Sequence, residues 1–273
     1  MTNSPRDIRH SLKQRRRIIW GRKFLWFLVL FIVLFGTLAW FSGSGVLNVK
    51  KIEVVGMTTL NADDLAQNVQ KTLDGRYLGL FSRSNVLILP WMTIGNSLKK
   101  DFLKVDRALV RITGKNSIKI IISERTPVGI WCESKERGVK SCYFLDKSGF
   151  IYTEAPEIIG NSFLYFYGGT FENPIGNTYV GNPKFLRLYA FMNKLKELGF
   201  APVSLSSLPD NEYEIDLEAG GQINFNESQT FETSLSDIDA MLQSNAISTS
   251  TAFLSKLNHL DLRYGNKVHY DLR

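Results

Sequence analysis

Along this chain the hydrophobic positions run unbroken in one place and at strand or helix spacing elsewhere. From Phe24 to Phe41 it reads FLWFLVLFIVLFGTLAWF, 18 residues without a charge. A helix of that length spans about 27 Å, close to the hydrocarbon thickness of a bilayer. It is apolar on every face, which core helices rarely are. Trp20, Trp26 and Trp40 stand near its ends, as interfacial residues do. Ser42-Gly43-Ser44-Gly45 offers the small residues that signal-peptide cleavage needs, but a signal core runs about 7–15 residues and this one is longer. The pattern therefore predicts a retained membrane helix over residues 24–41.

Beyond it, Val49–Val55 reads as a strand closed by Gly56. Asn61 stands as an N-cap, with Asp63 and Asp64 at the positive end of a helix carrying Leu65, Ala66 and Val69. Asp74-Gly75 stops that helix, and a loop runs through Arg76–Ser84. Its apolar part, Tyr77-Leu-Gly-Leu-Phe81, is expected to fold back as core, the alternative being an apolar loop tip docked on a partner or the membrane. A short apolar piece, Asn85–Leu89, precedes Pro90, which opens a second helix with Ile94, Leu98 and Phe102 on one face. Val105–Thr113 and Ser117–Glu124 follow as a hairpin turned at Lys115-Asn116, with Ile118, Ile120 and Ile122 on one side. The order strand, helix, helix, strand, strand puts both helices on one face of a small sheet.

After Glu124 strands dominate. Val128–Cys132, Ser141–Leu145, Phe150–Tyr152, Phe163–Tyr167, Tyr213–Leu217 and Gln222–Phe225 have strand character, with turns at Asp146–Gly149, Gly168-Gly169 and Gly220-Gly221. Helical stripes occupy Pro183–Leu198 and Ser228–Gln243. Two alternating strands, Leu260–Tyr264 and Lys267–Leu272, close the chain around Gly265-Asn266. The fold class is α+β: a single N-terminal transmembrane helix, a strand-helix-helix-strand-strand domain over 49–125, and a β-rich mixed domain over 126–273.

Charge sharpens this picture. The 273 residues carry a net charge of +7. Arg6, Arg9, Lys13, Arg15, Arg16, Arg17, Arg22 and Lys23, against Asp7, place that whole excess in residues 1–23. The rest of the chain is neutral, which excludes a basic nucleic-acid-binding domain. By the positive-inside rule the tail is cytoplasmic and the body extracytoplasmic, and residues 1–41 are the part that meets membrane lipid.

Little of the sequence looks catalytic. G-x-S-x-G, H-E-x-x-H, S-x-x-K and P-loop motifs are absent. His259 and His269 are ten apart across a turn and could in principle face each other, but without the companions of a zinc site they read as lone surface histidines. Asp63-Asp64 reads as a helix start, and Glu212, Glu214 and Asp216 as a solvated strand face. No enzyme, cofactor, metal or small-molecule substrate is expected. Cys132 and Cys142 lie at the ends of a hairpin whose loop holds Glu136-Arg137-Gly138, and outside the cytoplasm they are expected to form a disulfide. Lys267–Leu272, as a last strand at a sheet edge, would offer free N–H and C=O groups to an added strand, with Val268 and Tyr270 alternating along it and Tyr264 as an aromatic anchor.

The order of parts resembles the FtsQ/DivIB family of bacterial cell-division proteins. The resemblance rests on Val49-Lys-Lys-Ile-Glu-Val-Val-Gly56, Asn85-Val-Leu-Ile-Leu89, Val105-Asp-Arg-Ala-Leu-Val-Arg111 and Ile118-Lys-Ile-Ile-Ile-Ser-Glu-Arg-Thr-Pro-Val128. Phe144-Leu-Asp-Lys-Ser-Gly-Phe-Ile-Tyr152 and Leu260-Asp-Leu-Arg-Tyr264 match in the second domain. The hairpin after Arg111 departs from the family, reading Ile112-Thr-Gly-Lys-Asn116 where Trp-Pro is common. The resemblance implies a POTRA domain over 49–125 and a β domain over 126–273. It implies a non-catalytic scaffold at the division septum, in the plasma (inner) membrane of a bacterium, which binds the single-span coiled-coil partners FtsB/DivIC and FtsL. It also places Arg263 and Tyr264 in the partner surface, beside Lys267, Val268 and Tyr270. Two other classes compete with it: a membrane-anchored cell-wall enzyme, which needs a polar catalytic pocket, and a POTRA-type secretion or outer-membrane assembly component, which needs repeats or a barrel.

Overall fold

The computed structural model describes residues 5–42, 45–135, 141–156, 162–227, 230–265 and 267–273, with side chains from Trp20 onward apart from Phe41. The expected hairpin loop Glu136-Arg137-Gly138, the start of the second helix at Ser228, the turn residue Asn266 and the small residues Gly43-Ser44 lie outside the described residues. The protein is a mixed α+β chain with one N-terminal apolar helix and a β-rich body. It divides into two compact units, Met1–Glu124 and Arg125–Arg273.

The first unit begins with α1, Pro5–Ser42, a single helix of 38 residues. From Pro5 on, the basic tail is therefore part of this helix. Pro5 suits the first helical turn, and the arginines and lysines that follow are good helix formers. Trp20–Trp40 is long and apolar enough to cross a membrane, with a mean hydropathy of 2.1 and none of it buried inside the protein.

After α1 come β1 (Lys51–Val55), α2 (Ala62–Leu73), β2 (Arg76–Tyr77), β3 (Phe81–Ser82), a 3-10 turn at Val86–Ile88, α3 (Trp91–Asp101), β4 (Val105–Gly114) and β5 (Ser117–Glu124). The sheet order is β1-β5-β4, with β1 parallel and β4 antiparallel to the central strand. Leu65, Val69 and Leu73 of α2 and Ile94 and Leu98 of α3 are buried against Ile118, Ile120 and Ile122 of β5. Asn61 caps α2 by accepting a hydrogen bond from the Asp63 amide. Gly56 ends β1 at φ +89°, where a Cβ would stand 2.3 Å from the Ile122 carbonyl oxygen, so only glycine fits this close approach.

The Tyr77–Phe81 segment does not fold back as core. It is the turn of a small hairpin, β2–β3, with Leu78 91% exposed at its tip. The Leu80 amide bonds the Tyr77 carbonyl at 2.9 Å, and this tight closure leaves no length for the leucines to reach the core.

The second unit is built on a nine-stranded sheet. Its strands are β6 (Gly129–Cys132), β7 (Cys142–Leu145), β8 (Ile151–Ala155), β9 (Leu164–Tyr167), β10 (Pro202–Ser207), β11 (Glu212–Leu217), β12 (Gln222–Asn226), β13 (Leu257–Tyr264) and β14 (Lys267–Leu272). Their spatial order is β14-β13-β12-β11-β10-β9-β6-β7-β8. Helices α4 (Asn182–Glu197), α5 (Phe231–Gln243) and the short α6 (Thr251–Leu254) contribute Phe185, Leu188, Phe191, Ile238 and Leu254 to the core formed with the sheet. Trp131, Phe166, Tyr213, Ile215 and Phe225 supply its sheet side.

β10 has no counterpart in the hydrophobic pattern. It is a central strand reading PVSLSS, and its Ser204 and Ser206 are nearly as buried as Leu205. Ser204 donates to Asp216 on β11, which satisfies the hydroxyl without an apolar residue at that position. Cys132 and Cys142 face each other in the β6–β7 register and are joined by a disulfide, with Cα atoms 4.5 Å apart.

Candidate partner-binding site

One edge of the large sheet is formed by β14, whose described neighbour is β13 alone, and the other by β8. The two strands pair antiparallel, with Leu260 opposite Tyr270, Asp261 opposite His269 and Tyr264 opposite Lys267. A register shift between Asp261 and Tyr264 marks a bulge. A bulge turns a side chain that simple alternation would send to the other face. Here it brings Tyr264 to the side of His269, and their rings meet edge to face at 5.5 Å. Leu260 and Leu262 stay in the core.

His259 and His269 do not face each other. His259 stands opposite Asp271 and His269 opposite Asp261: Tyr264 and Lys267 close the turn, and neither that register nor the one beyond the bulge brings the two histidines opposite each other. Among the described residues no cluster of three or more His, Cys, Asp or Glu side chains is placed to hold a metal ion.

Arg263 is held from within the protein. Its Nε and Nη2 donate to the two carboxylate oxygens of Asp261 at 2.9 and 2.6 Å, and its Nη1 donates to Glu212 of β11 at 2.8 Å. Burial raises the Asp261 carboxyl, but the Arg263 bonds outweigh it and hold the group below its ordinary range. The same bonds, Asp261 first, raise the Arg263 guanidinium. That guanidinium sits 5.9 Å from the centre of the Tyr264 ring. Arg263 therefore positions Tyr264 while its N–H groups are engaged elsewhere. The Tyr264 ring itself remains 59% exposed.

On β14, Lys267 is exposed and Val268 is half buried against the core. Tyr270 is exposed on one side, with its ring 6.3 Å from that of Phe253 on α6. The Arg273 amide bonds inward to the Lys256 carbonyl at 2.6 Å. By the two-residue period of a strand, the amides of Val268, Tyr270 and Leu272 then point to the open edge.

Glu212, Glu214 and Asp216 are not a solvated row. Lys135 bridges Glu214 and Asp216, both at 2.7 Å, and Arg263 takes Glu212. Asp216 is raised by burial but lowered further by Lys135, Ser204 and Gln222, so its carboxyl titrates below the ordinary range. These pairings join residues 51 to 81 positions apart, so sequence spacing gives no sign of them. The Asp261-x-Arg263 spacing, which places both residues on one strand face, was the only local signal.

Elsewhere in this unit a cavity of about 200 Å³ is lined by Val128, Leu164, Tyr189, Met192, Pro202 and Glu218 among others. It is smaller than the pockets that usually enclose a substrate. No protein-family model matches the chain, and no curated protein matches it.

Proposed function

We propose that this chain is a single-span, non-enzymatic scaffold of the bacterial division machinery, of the FtsQ/DivIB type. In this reading the strand-helix-helix-strand-strand unit is a POTRA domain and the nine-stranded unit is the β domain. The basic start of α1 lies in the cytoplasm and fixes the body at the outer face of the inner membrane. β14 takes up an extended segment of an FtsB/DivIC-type partner, with an FtsL-type partner alongside, and the complex acts in septum formation.

The observation that carries this reading is the open edge of β14 next to the exposed Tyr264 ring. Main-chain bonds along an edge give affinity, and an aromatic anchor beside it gives register and specificity. A neutral body suits such binding, since it offers no broad electrostatic attraction. The order of sequence motifs that resembles the family supports the choice of process.

Depletion of the protein in its host, followed by microscopy, tests the reading. Filaments or chains of undivided cells are expected. Normal division with a defect in envelope assembly would replace it with the secretion or outer-membrane assembly class. A reporter enzyme fused after Arg273 should be active only outside the cytoplasm, and cytoplasmic activity would overturn the orientation.

A further inference from the structure

The β2–β3 hairpin carries its apolar residues at the tip, away from the core. Leu78 is 91% exposed and Leu80 is exposed beside it. Leu78 lies at φ +50° and Gly79 at φ +71°, so both central turn residues are left-handed. Asn, Asp or Gly occupies the first of these positions at little cost, whereas a leucine there is strained. Strained residues of this kind cluster where the side chain has a task.

The position of the hairpin indicates what that task is. Phe81 packs edge to face on Phe35 of α1, with ring centres 5.2 Å apart. Phe35 lies inside the apolar Trp20–Trp40 segment, about 7.5 Å along the axis from its body-side end. The contact is braced from several directions. Asn85 donates to Ser42 at 3.2 Å, the Val86 amide bonds the Leu47 carbonyl at 2.9 Å, and the Val49 amide bonds the Ser84 carbonyl at 2.8 Å. Asn116 further donates to the carbonyls of Val46 and Asn48 at 2.7 and 2.9 Å. The chain leaving α1 is thus stitched to the loop that carries the hairpin. Arg76 and Arg83 flank the apolar tip, and Arg83 lies over the Tyr77 ring. Both arginines are exposed.

We propose that the β2–β3 hairpin is a second membrane contact, with Leu78 and Leu80 entering the acyl region of the leaflet next to the body-side end of α1. Arg76 and Arg83 then face the phosphates of that leaflet. An apolar tip with basic shoulders has the chemistry of an interfacial anchor. Its effect is to fix the orientation of the first unit on the membrane, which a lone helix does not. This inference rests on the reading that α1 spans the bilayer.

The test uses the full chain in vesicles of phosphatidylcholine with about a third phosphatidylglycerol, some lipids carrying a nitroxide high on the acyl chain. Cys132 and Cys142 are joined, so under non-reducing conditions a cysteine introduced by Leu78→Cys or Leu80→Cys takes up an environment-sensitive fluorophore alone. Leu38→Cys within α1 and Lys99→Cys on α3 serve as references. At positions 78 and 80 the nitroxide should lower emission by about two-fold or more, as at 38, while 99 changes little. Quenching at 38 without quenching at 78 and 80 overturns the proposal and leaves the span intact. Absence of quenching at 38 as well overturns the spanning reading and the proposal with it. Tip sites that leave water only when a protein partner is added would assign the hairpin to that partner and not to lipid.

Discussion

Glu124 grips Thr59 twice: its Oε1 accepts the Thr59 amide at 2.9 Å and its Oε2 the Thr59 hydroxyl at 2.7 Å. The same carboxylate takes the Thr58 amide and hydroxyl and the Leu60 amide. The last residue of β5 thereby pins the loop between Gly56 and α2. Burial raises this carboxyl, but the bonds from Thr59, Thr58 and Leu60 bring it down to about 2 from an ordinary 4.5.

A folded-state value below the unfolded one means stability that is complete above about pH 4.5 and is lost as pH falls toward 2. The first unit should therefore weaken over that window. Glu124→Gln keeps the size and one oxygen acceptor but loses the charge. It should cost about 1–2 kcal/mol at neutral pH, discounted for partial exposure, and should flatten the acid limb. Thermal unfolding of the chain in detergent at several pH values checks both effects. An unchanged acid limb in the variant would show that other carboxylates set it.

Arg263→Met tests the anchor beneath Tyr264. Asp261 is only 6% exposed at its side chain, so removing the guanidinium strands a nearly buried carboxylate. A loss of about 2–4 kcal/mol in the second unit is expected. Arg263→Lys should restore little, because one ammonium cannot meet Asp261 through two parallel bonds and Glu212 through a third. Urea unfolding followed by tryptophan fluorescence, with Trp131 in the core of this unit, gives the comparison.

The contrast between Asn61 and Arg263 shows what can be read from such a chain. The Asn61 cap, the stripe of α2 and the Ile118-Ile120-Ile122 face are set by neighbours within a few residues, and they are legible in the pattern. The apolar span is legible for the same reason. β10 is not, because its buried Ser204 is satisfied by Asp216 on another strand and Ser206 is buried beside it without an apolar pattern to mark the strand. The β2–β3 hairpin is not either. Periodicity says that Leu78 and Leu80 are apolar, but whether they turn inward depends on where the chain before and after is held. At the candidate site the hairpin of Leu260–Tyr264 and Lys267–Leu272 is legible in its alternation around Gly265-Asn266, whereas the edge position of the second strand is set by the sheet order. The bulge that turns Tyr264 and the pairing of Arg263 with Glu212 come from tertiary register, which no local spacing encodes.

The Cys132–Cys142 bridge closes a loop across two paired strands. In the loop-entropy account a closure of this length contributes about 2–3 kcal/mol. Native, unreduced protein should show no labelling by thiol reagents even when unfolded. The Cys132→Ala, Cys142→Ala double variant should unfold at correspondingly lower urea. A labelled thiol in the unreduced unfolded chain would count against the bridge.

The edge of β14 allows a substitution that separates strand addition from stability. Val268 is half buried against the core, so a charge there would disturb the fold as well as a partner. Tyr270 is the better position. Its amide faces the open side by the alternation that turns the Arg273 amide inward, and an edge strand tolerates proline where the lost N–H faced solvent. Tyr270→Pro should leave the circular dichroism and the unfolding midpoint near those of the parent, yet weaken binding of the proposed FtsB/DivIC-type partner by about ten-fold or more, the cost of a lost main-chain bond and a disturbed edge. Tyr270→Phe should bind almost normally. Tyr264→Ala should weaken binding without touching the edge, because it removes the exposed anchor while Arg263, Asp261 and Glu212 remain paired. Equal binding by all three variants, measured by titration calorimetry with the partner's extracytoplasmic segment, would remove β14 as the docking edge. Loss in Tyr264→Ala alone would mean that the partner reads the aromatic surface and does not add a strand.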